Sequence, residues 1–130
     1  MPGAIEEMLR YDCPVQATGR NMIREYDLNG TQLRPGMTVV VLNGAANRDP
    51  SRFSDADRFD ITRNPNDHLA FGEGIHFCLG AALARLEGTI AIGAALSRFP
   101  RLRLAADAES ISHKKSFHVR GLERLPVSID

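Results

Sequence analysis

Apolar residues recur at helical spacing near the start of the chain and again after residue 80, and between these stretches the pattern turns to short extended runs. Ile5, Met8 and Leu9 fall on one face of a helix read over Ala4–Tyr11, which Pro14 ends because its ring removes a backbone donor. From Val15 the pattern is β. Leu28-Asn29-Gly30-Thr31 signals a tight hairpin, and Arg34-Pro35-Gly36 a second turn before Met37–Leu42. That last run is almost continuously apolar, which predicts a strand buried on both faces. Residues 43–67 hold Asp, Asn, Arg, Pro and Ser without a period, and a loop of that length is usually functional or disordered. Leu83–Phe99 is the main helix, with Leu83, Leu86, Ile90 and Leu96 as its apolar positions. Gly88 and Gly93 each cost it about 1 kcal/mol of propensity, and small residues there either allow close packing or mark a weakened constraint. The tail predicts a strand near Leu102–Leu104, a polar loop and a hairpin over Phe117–Ile129.

With 130 residues the chain has room for a single domain, 1–130, and its 43% hydrophobic and 25% charged residues are those of a globular protein. Sixteen basic residues balance sixteen acidic ones, which argues against nucleic acid or an anionic membrane as partner. No basic-then-apolar leader and no membrane-length run is visible. Cys13 and Cys78 lie far apart and mark no disulfide scaffold, so a reducing, cytoplasmic setting is expected.

The strongest chemical signal is Phe71-Gly72-Glu73-Gly74-Ile75-His76-Phe77-Cys78-Leu79-Gly80, which runs directly into the main helix. It places one cysteine in an apolar, glycine-punctuated loop just before a helix N-terminus, where free N–H groups favour the thiolate. Gly72, Gly74 and Gly80 are expected to take conformations closed to other residues and to let amides approach the sulfur. Phe71, Ile75, Phe77 and Leu79 are expected to exclude water from it. A lone cysteine is ordinarily a buried structural residue. A zinc or copper site from His68, His76 and Cys78 lacks a fourth ligand, and a phosphate loop lacks its Lys-Ser/Thr.

The spacing Phe-Gly-x-Gly-x-His-x-Cys-x-Gly resembles the haem-ligand loop of the cytochrome P-450 family, bacterial soluble type. The resemblance runs from the K helix to the C-terminus and implies an α+β fold: K helix, small β-sheet, meander, cysteine loop, L helix and terminal hairpin. Asn47-Arg48-Asp49-Pro50 and Arg120-Gly121-Leu122-Glu123-Arg124-Leu125-Pro126 add to it. The tail departs from it, since Ser112-His113-Lys114-Lys115 stands where the family has an apolar segment with tryptophan.

By this resemblance Cys78 is the axial ligand of haem b iron, within a cofactor site that includes Phe71, Gly72 and Gly80. Arg20 and His76 lie where the family holds the haem propionates. Glu7-Met8-Leu9-Arg10 matches the family's Glu-x-x-Arg, and Asp57-Arg58-Phe59 its meander arginine, although Ala56 replaces a common proline. Glu7, Arg10 and Arg58 are then expected to form a buried structural triad that performs no chemistry. His68 and Arg63 lie in a stretch resembling bacterial members, with no role assigned.

The implied reaction class is insertion of one oxygen atom into a small organic molecule, with electrons from a ferredoxin-type donor. No segment matches the I helix, which supplies the acid–alcohol pair and much of the substrate pocket. The expectation is therefore a truncated monooxygenase region that is inactive alone, its haem open to water and its uncovered surfaces apolar. The alternatives are a non-catalytic remnant, half of a split enzyme needing a complementing chain, or a poorly folded fragment.

Overall fold

The computed structural model describes residues 1–129. Helix α1 (Pro2–Tyr11) starts two residues earlier than the pattern predicts, because Pro2 occupies the first turn, where its missing N–H costs no hydrogen bond. Strands β1 (Thr18–Asn21) and β4 (Thr38–Val41) pair antiparallel with Arg20 opposite Val39. Between them β2 (Tyr26–Leu28) and β3 (Thr31–Leu33) form the expected hairpin. Its central residues Asn29 and Gly30 have φ of 51° and 84°, the left-handed pair a two-residue hairpin turn requires.

The expectation that β4 is buried on both faces is wrong. Val40 and Val41 are 42% and 41% exposed, because β4 belongs to a two-stranded ribbon with β1 and no further strand or helix layer covers it among the described residues. The long aperiodic stretch begins with one helical turn, α2 (Asn43–Ala46), and continues as turns to the cysteine loop. Helix α3 (Ala81–Arg98) crosses α1 at Gly88, where an added Cβ would sit 3.5 Å from a methyl of Ile5. That is an ordinary van der Waals contact, so the crossing has room for an alanine and does not demand the glycine.

The terminal hairpin over 117–129 does not form. Instead β6 (Val127–Ser128) pairs with β5 (Arg103–Leu104), Val119 bridges to Val15, and Leu122 bridges to His113. The tail finds its backbone partners in three separate segments, and Arg120 N–H reaching the Pro14 carbonyl at 2.8 Å fixes the middle one.

The interior is polar at its centre. Arg10, Glu7, Asn47 and Cys13 are the largest fully buried side chains, ringed by Ile5, Ala17, Phe53, Ala56 and Ala70. Much of the large apolar surface lies outward, including Leu83, Leu86 and Ile90 of α3. No helix among the described residues is long and apolar enough to cross a membrane.

Candidate functional site

The chain's best-defined network surrounds Glu7 and Arg10, one turn apart on α1. Arg10 donates from Nε and Nη2 to the two Glu7 carboxylate oxygens at 2.8 and 2.9 Å, a bidentate pair with both side chains fully buried. Its remaining donors reach the carbonyls of Asn47 and Ala56, each at 2.8 Å, and of Arg58 at 3.0 Å. Glu7 also accepts from the Asp60 N–H at 2.8 Å and from Asn66 Nδ2 at 3.1 Å. The second cation beside it is Arg63, whose Nε lies 3.3 Å from Glu7 Oε2.

Arg58 therefore enters this network through its backbone carbonyl, and its exposed side chain does not form the expected third charge. Arg63 takes that place because its guanidinium also reaches the Ser54 and Asp55 carbonyls, which cap the same turns. Asn47 was another residue the sequence left without a role. Its carbonyl accepts from Arg10, and its Oδ1 accepts the Leu69 N–H at 2.7 Å, just ahead of the cysteine loop.

Burial raises the Glu7 carboxyl's pKa, but the bonds from Arg10, Asp60 and Arg63 outweigh that, and the net direction is downward. A carboxyl held below its unfolded value contributes stability that is present at neutral pH and lost as the pH falls below about 4.5. Acid titration of unfolding should therefore show a loss of stability in that range, and Glu7→Gln should flatten it. An equal slope in the variant would remove Glu7 as its source.

The cysteine loop is anchored across its base, where the Cys78 N–H donates to the Phe71 carbonyl at 2.9 Å. Gly72 and Gly74 adopt φ of 70° and 72°, so a side chain at either would be strained. Gly80 does not share this conformation. Its φ is −85°, open to any residue, and an added Cβ would stand an ordinary 3.8 Å from the Cys78 sulfur.

The expected water-excluding shell is not closed in this chain. Ile75 is 98% exposed, Leu79 is fully exposed, and Cys78 itself is exposed. Residues 74–76 form a single 3-10 turn, and no described segment packs over Ile75 or Leu79. Only Phe71 and Phe77 meet, edge to face, with centroids 6.4 Å apart.

Five of the residues expected at a cofactor site line one cavity of about 390 Å³ in front of α3: Cys78, His76, Arg20, Phe71 and Gly72. Gly80 lies outside that lining. Arg20 is exposed on β1 and donates only to its neighbouring Gly19 carbonyl at 2.9 Å, which leaves most of its donors available. A larger hollow of about 750 Å³ opens between Arg48 and Arg58 and presents no cysteine or histidine. Among the described residues no three metal-ligating side chains gather, so His68, His76 and Cys78 do not form a zinc or copper set.

A sequence profile described as Cytochrome P450 matches residues 1–121. The chain belongs to the cytochrome P450 family. It is 47% identical over 130 residues to 6-deoxyerythronolide B hydroxylase of Saccharopolyspora erythraea, covering 100% of this chain and 32% of that protein. To Cytochrome P450 107B1 of the same organism it is 53% identical over 128 residues, 98% of this chain and 32% of that protein. Among solved structures, the Bacillus subtilis 168 bacillaene polyketide synthase cytochrome P450 PksS superposes with a TM-score of 0.94 at 46% identity, over 98% of this chain and 33% of that one. This cytochrome P450 chain thus spans about a third of the length of the relatives it matches. Its small mixed α and β architecture is the one those structures have over that third.

Proposed function

We propose that this chain carries the haem-thiolate region of a cytochrome P450 monooxygenase, with Cys78 as axial ligand of haem b. The observation that supports it is the shared cavity: one sulfur donor, one histidine and one arginine on an otherwise largely apolar wall. That donor set fits the group. A soft thiolate suits the iron of a cysteine-ligated haem, while the Arg20 fork and the His76 ring suit its two carboxylates. When bound, the haem supplies oxygen activation for insertion of one oxygen atom into a small organic substrate.

The chain's own residues perform the holding. Gly72 and Gly74 give the loop its left-handed turns, the Cys78 N–H bond to Phe71 sets the sulfur's height above that turn, and Phe71 and Phe77 form its apolar flank. The buried Glu7–Arg10 network fixes the meander beneath it. Electrons come from a ferredoxin-type donor in a reducing, cytoplasmic setting that keeps Cys78 a free thiol. The exposed Leu83, Leu86 and Ile90 of α3 suit packing against further polypeptide, from the same chain or a complementing one, which would close the haem's open face.

The test is the absorbance spectrum of the purified chain with haem, reduced and exposed to carbon monoxide. A strongly red-shifted Soret band of thiolate-ligated haem is expected. A spectrum of free or neutral-ligand haem would defeat the proposal and favour the reading of a non-catalytic remnant. Arg20→Ala should weaken haem binding roughly tenfold, the factor produced by losing one charged hydrogen bond worth about 1.4 kcal/mol, without altering the band position. A haem titration that does not shift would remove Arg20 from the site.

A further inference from the structure

Glu6 and Glu7 are adjacent on α1, yet their carboxylates serve different segments. Glu7 binds the meander through Arg10, Asp60 and Arg63. Glu6 turns to the cysteine loop. Its Oε1 accepts from Arg85 Nε at 2.7 Å, and its Oε2 accepts from Arg85 Nη2 at 2.9 Å and from His68 Nε2 at 3.1 Å.

These two partners stand on opposite flanks of Cys78. His68 precedes the loop and is 2% exposed; Arg85 follows it on the first turns of α3. Both also reach Phe71. The Arg85 guanidinium lies 4.6 Å from the Phe71 ring centroid, and the His68 ring lies 6.1 Å from it. Phe71 in turn accepts the Cys78 N–H.

The protonation of this cluster follows from its partners. The Ala70 N–H donates to His68 Nδ1 at 3.2 Å, so Nε2 carries the hydrogen given to Glu6. Burial lowers the pKa of the His68 ring, and the nearby Glu6 only partly offsets this, so the ring is neutral at neutral pH. The bond from Arg85 is the main reason the Glu6 carboxyl lies below the usual range.

We propose that Glu6 is a clasp that ties the two flanks of the cysteine loop to α1, with Glu6, His68 and Arg85 acting as positioning residues for the Cys78 sulfur. The clasp is a property of the chain without haem; its role in seating iron rests on the haem-thiolate reading above. The Glu6–Arg85 pair is itself partly exposed, its side chains 28% and 38%, and geometry sets it apart from a simple surface pair. It is bidentate, shares its carboxylate with a buried ring, and closes a circuit from Arg85 through Glu6 and His68 to Phe71 and Cys78.

The experiment is hydrogen exchange read by mass spectrometry on the full chain, comparing the parent with Glu6→Ala and Arg85→Lys. Peptides covering 69–80 should exchange roughly tenfold faster in Glu6→Ala and about threefold faster in Arg85→Lys, while those covering 55–63 stay within about twofold. Lysine keeps the charge but loses the fork and the ring contact, so it distinguishes positioning from charge alone. Unchanged exchange at 69–80 overturns the clasp. So does an equal rise at 55–63, which would make Glu6 a brace of the whole fold. If Glu6→Ala unfolds, Arg85→Lys is judged by the same criterion.

Haem spectra then separate the two proposals. A parent without the thiolate band defeats the haem reading, and the clasp stands or falls on exchange alone. If the parent shows the band, the variants should convert part of it to the neutral-ligand form; a full thiolate fraction beside a loosened loop overturns the positioning role.

Discussion

Glu7→Ala should lower the folding stability of this chain by about 3–5 kcal/mol, the cost of removing one partner from a fully buried ion pair. A surface Glu–Arg pair at the same spacing on a helix is worth only a few tenths of a kcal/mol. Burial decides between the two magnitudes. Both side chains are 0% exposed, so removal of the carboxylate leaves a buried guanidinium with backbone carbonyls and the Phe53 ring around it and no paired carboxylate. The Asp60 N–H and Asn66 Nδ2 lose their acceptor as well. Glu7→Gln should fall between parent and Ala, because the amide oxygen still accepts while the charge is gone. Arg58→Ala supplies the contrast. Its guanidinium is exposed and only its carbonyl enters the network, so its effect should stay within about 0.5 kcal/mol. Urea unfolding of the three variants measures this. A Glu7→Ala midpoint equal to the parent's would show that the buried pair is not what holds the meander.

The sequence was most legible where local chemistry forces the backbone. Asn29-Gly30 names its own turn because few residues tolerate positive φ, and α1 ends before Pro14 because proline cannot continue a helix. It was least legible where partners are distant. The almost continuously apolar run from Met37 to Leu42 reads as a doubly buried strand, but the sequence does not say which surface, if any, covers it. The tail's pairing partners lie up to about a hundred positions away, and only the folded chain reveals that Val119 meets Val15. The cysteine loop shows both sides of this. Its glycine turns at Gly72 and Gly74 were readable, whereas the exposure of Ile75 and Leu79 depends on what packs against the loop. The buried network was half readable. Glu-x-x-Arg spacing puts Glu7 and Arg10 on one face, but the choice of Arg63 over Arg58 is made by the turns from Ser54 to Asp60, whose carbonyls the Arg63 guanidinium reaches. His68, Arg85 and Glu6 carry no motif that links them; each is an ordinary polar residue until the fold brings them to Phe71.

Cys78→Ser should abolish thiolate-type haem binding while leaving the fold in place. A serine hydroxyl stays protonated where a thiol can ionise, so it offers iron no comparable anionic donor. The expected stability change is within about 0.5 kcal/mol, because Cys78 is exposed and its structural bond runs through the backbone to Phe71. This separates ligation from folding more cleanly than any change in the Glu7 network would. Cys13 cannot stand in for the lost sulfur. It is fully buried, its thiol donates to the Val15 carbonyl at 3.2 Å, and burial raises its pKa away from the reactive form. Cys13→Ser should accordingly keep the red-shifted band in whatever fraction of the chain remains folded. The decisive comparison is the reduced carbon monoxide spectrum of parent and both variants, normalised to folded protein. Loss of the band in Cys78→Ser alone assigns the ligand; retention of the parent band in Cys78→Ser would refute the assignment, since no second accessible thiol exists among the described residues to account for it.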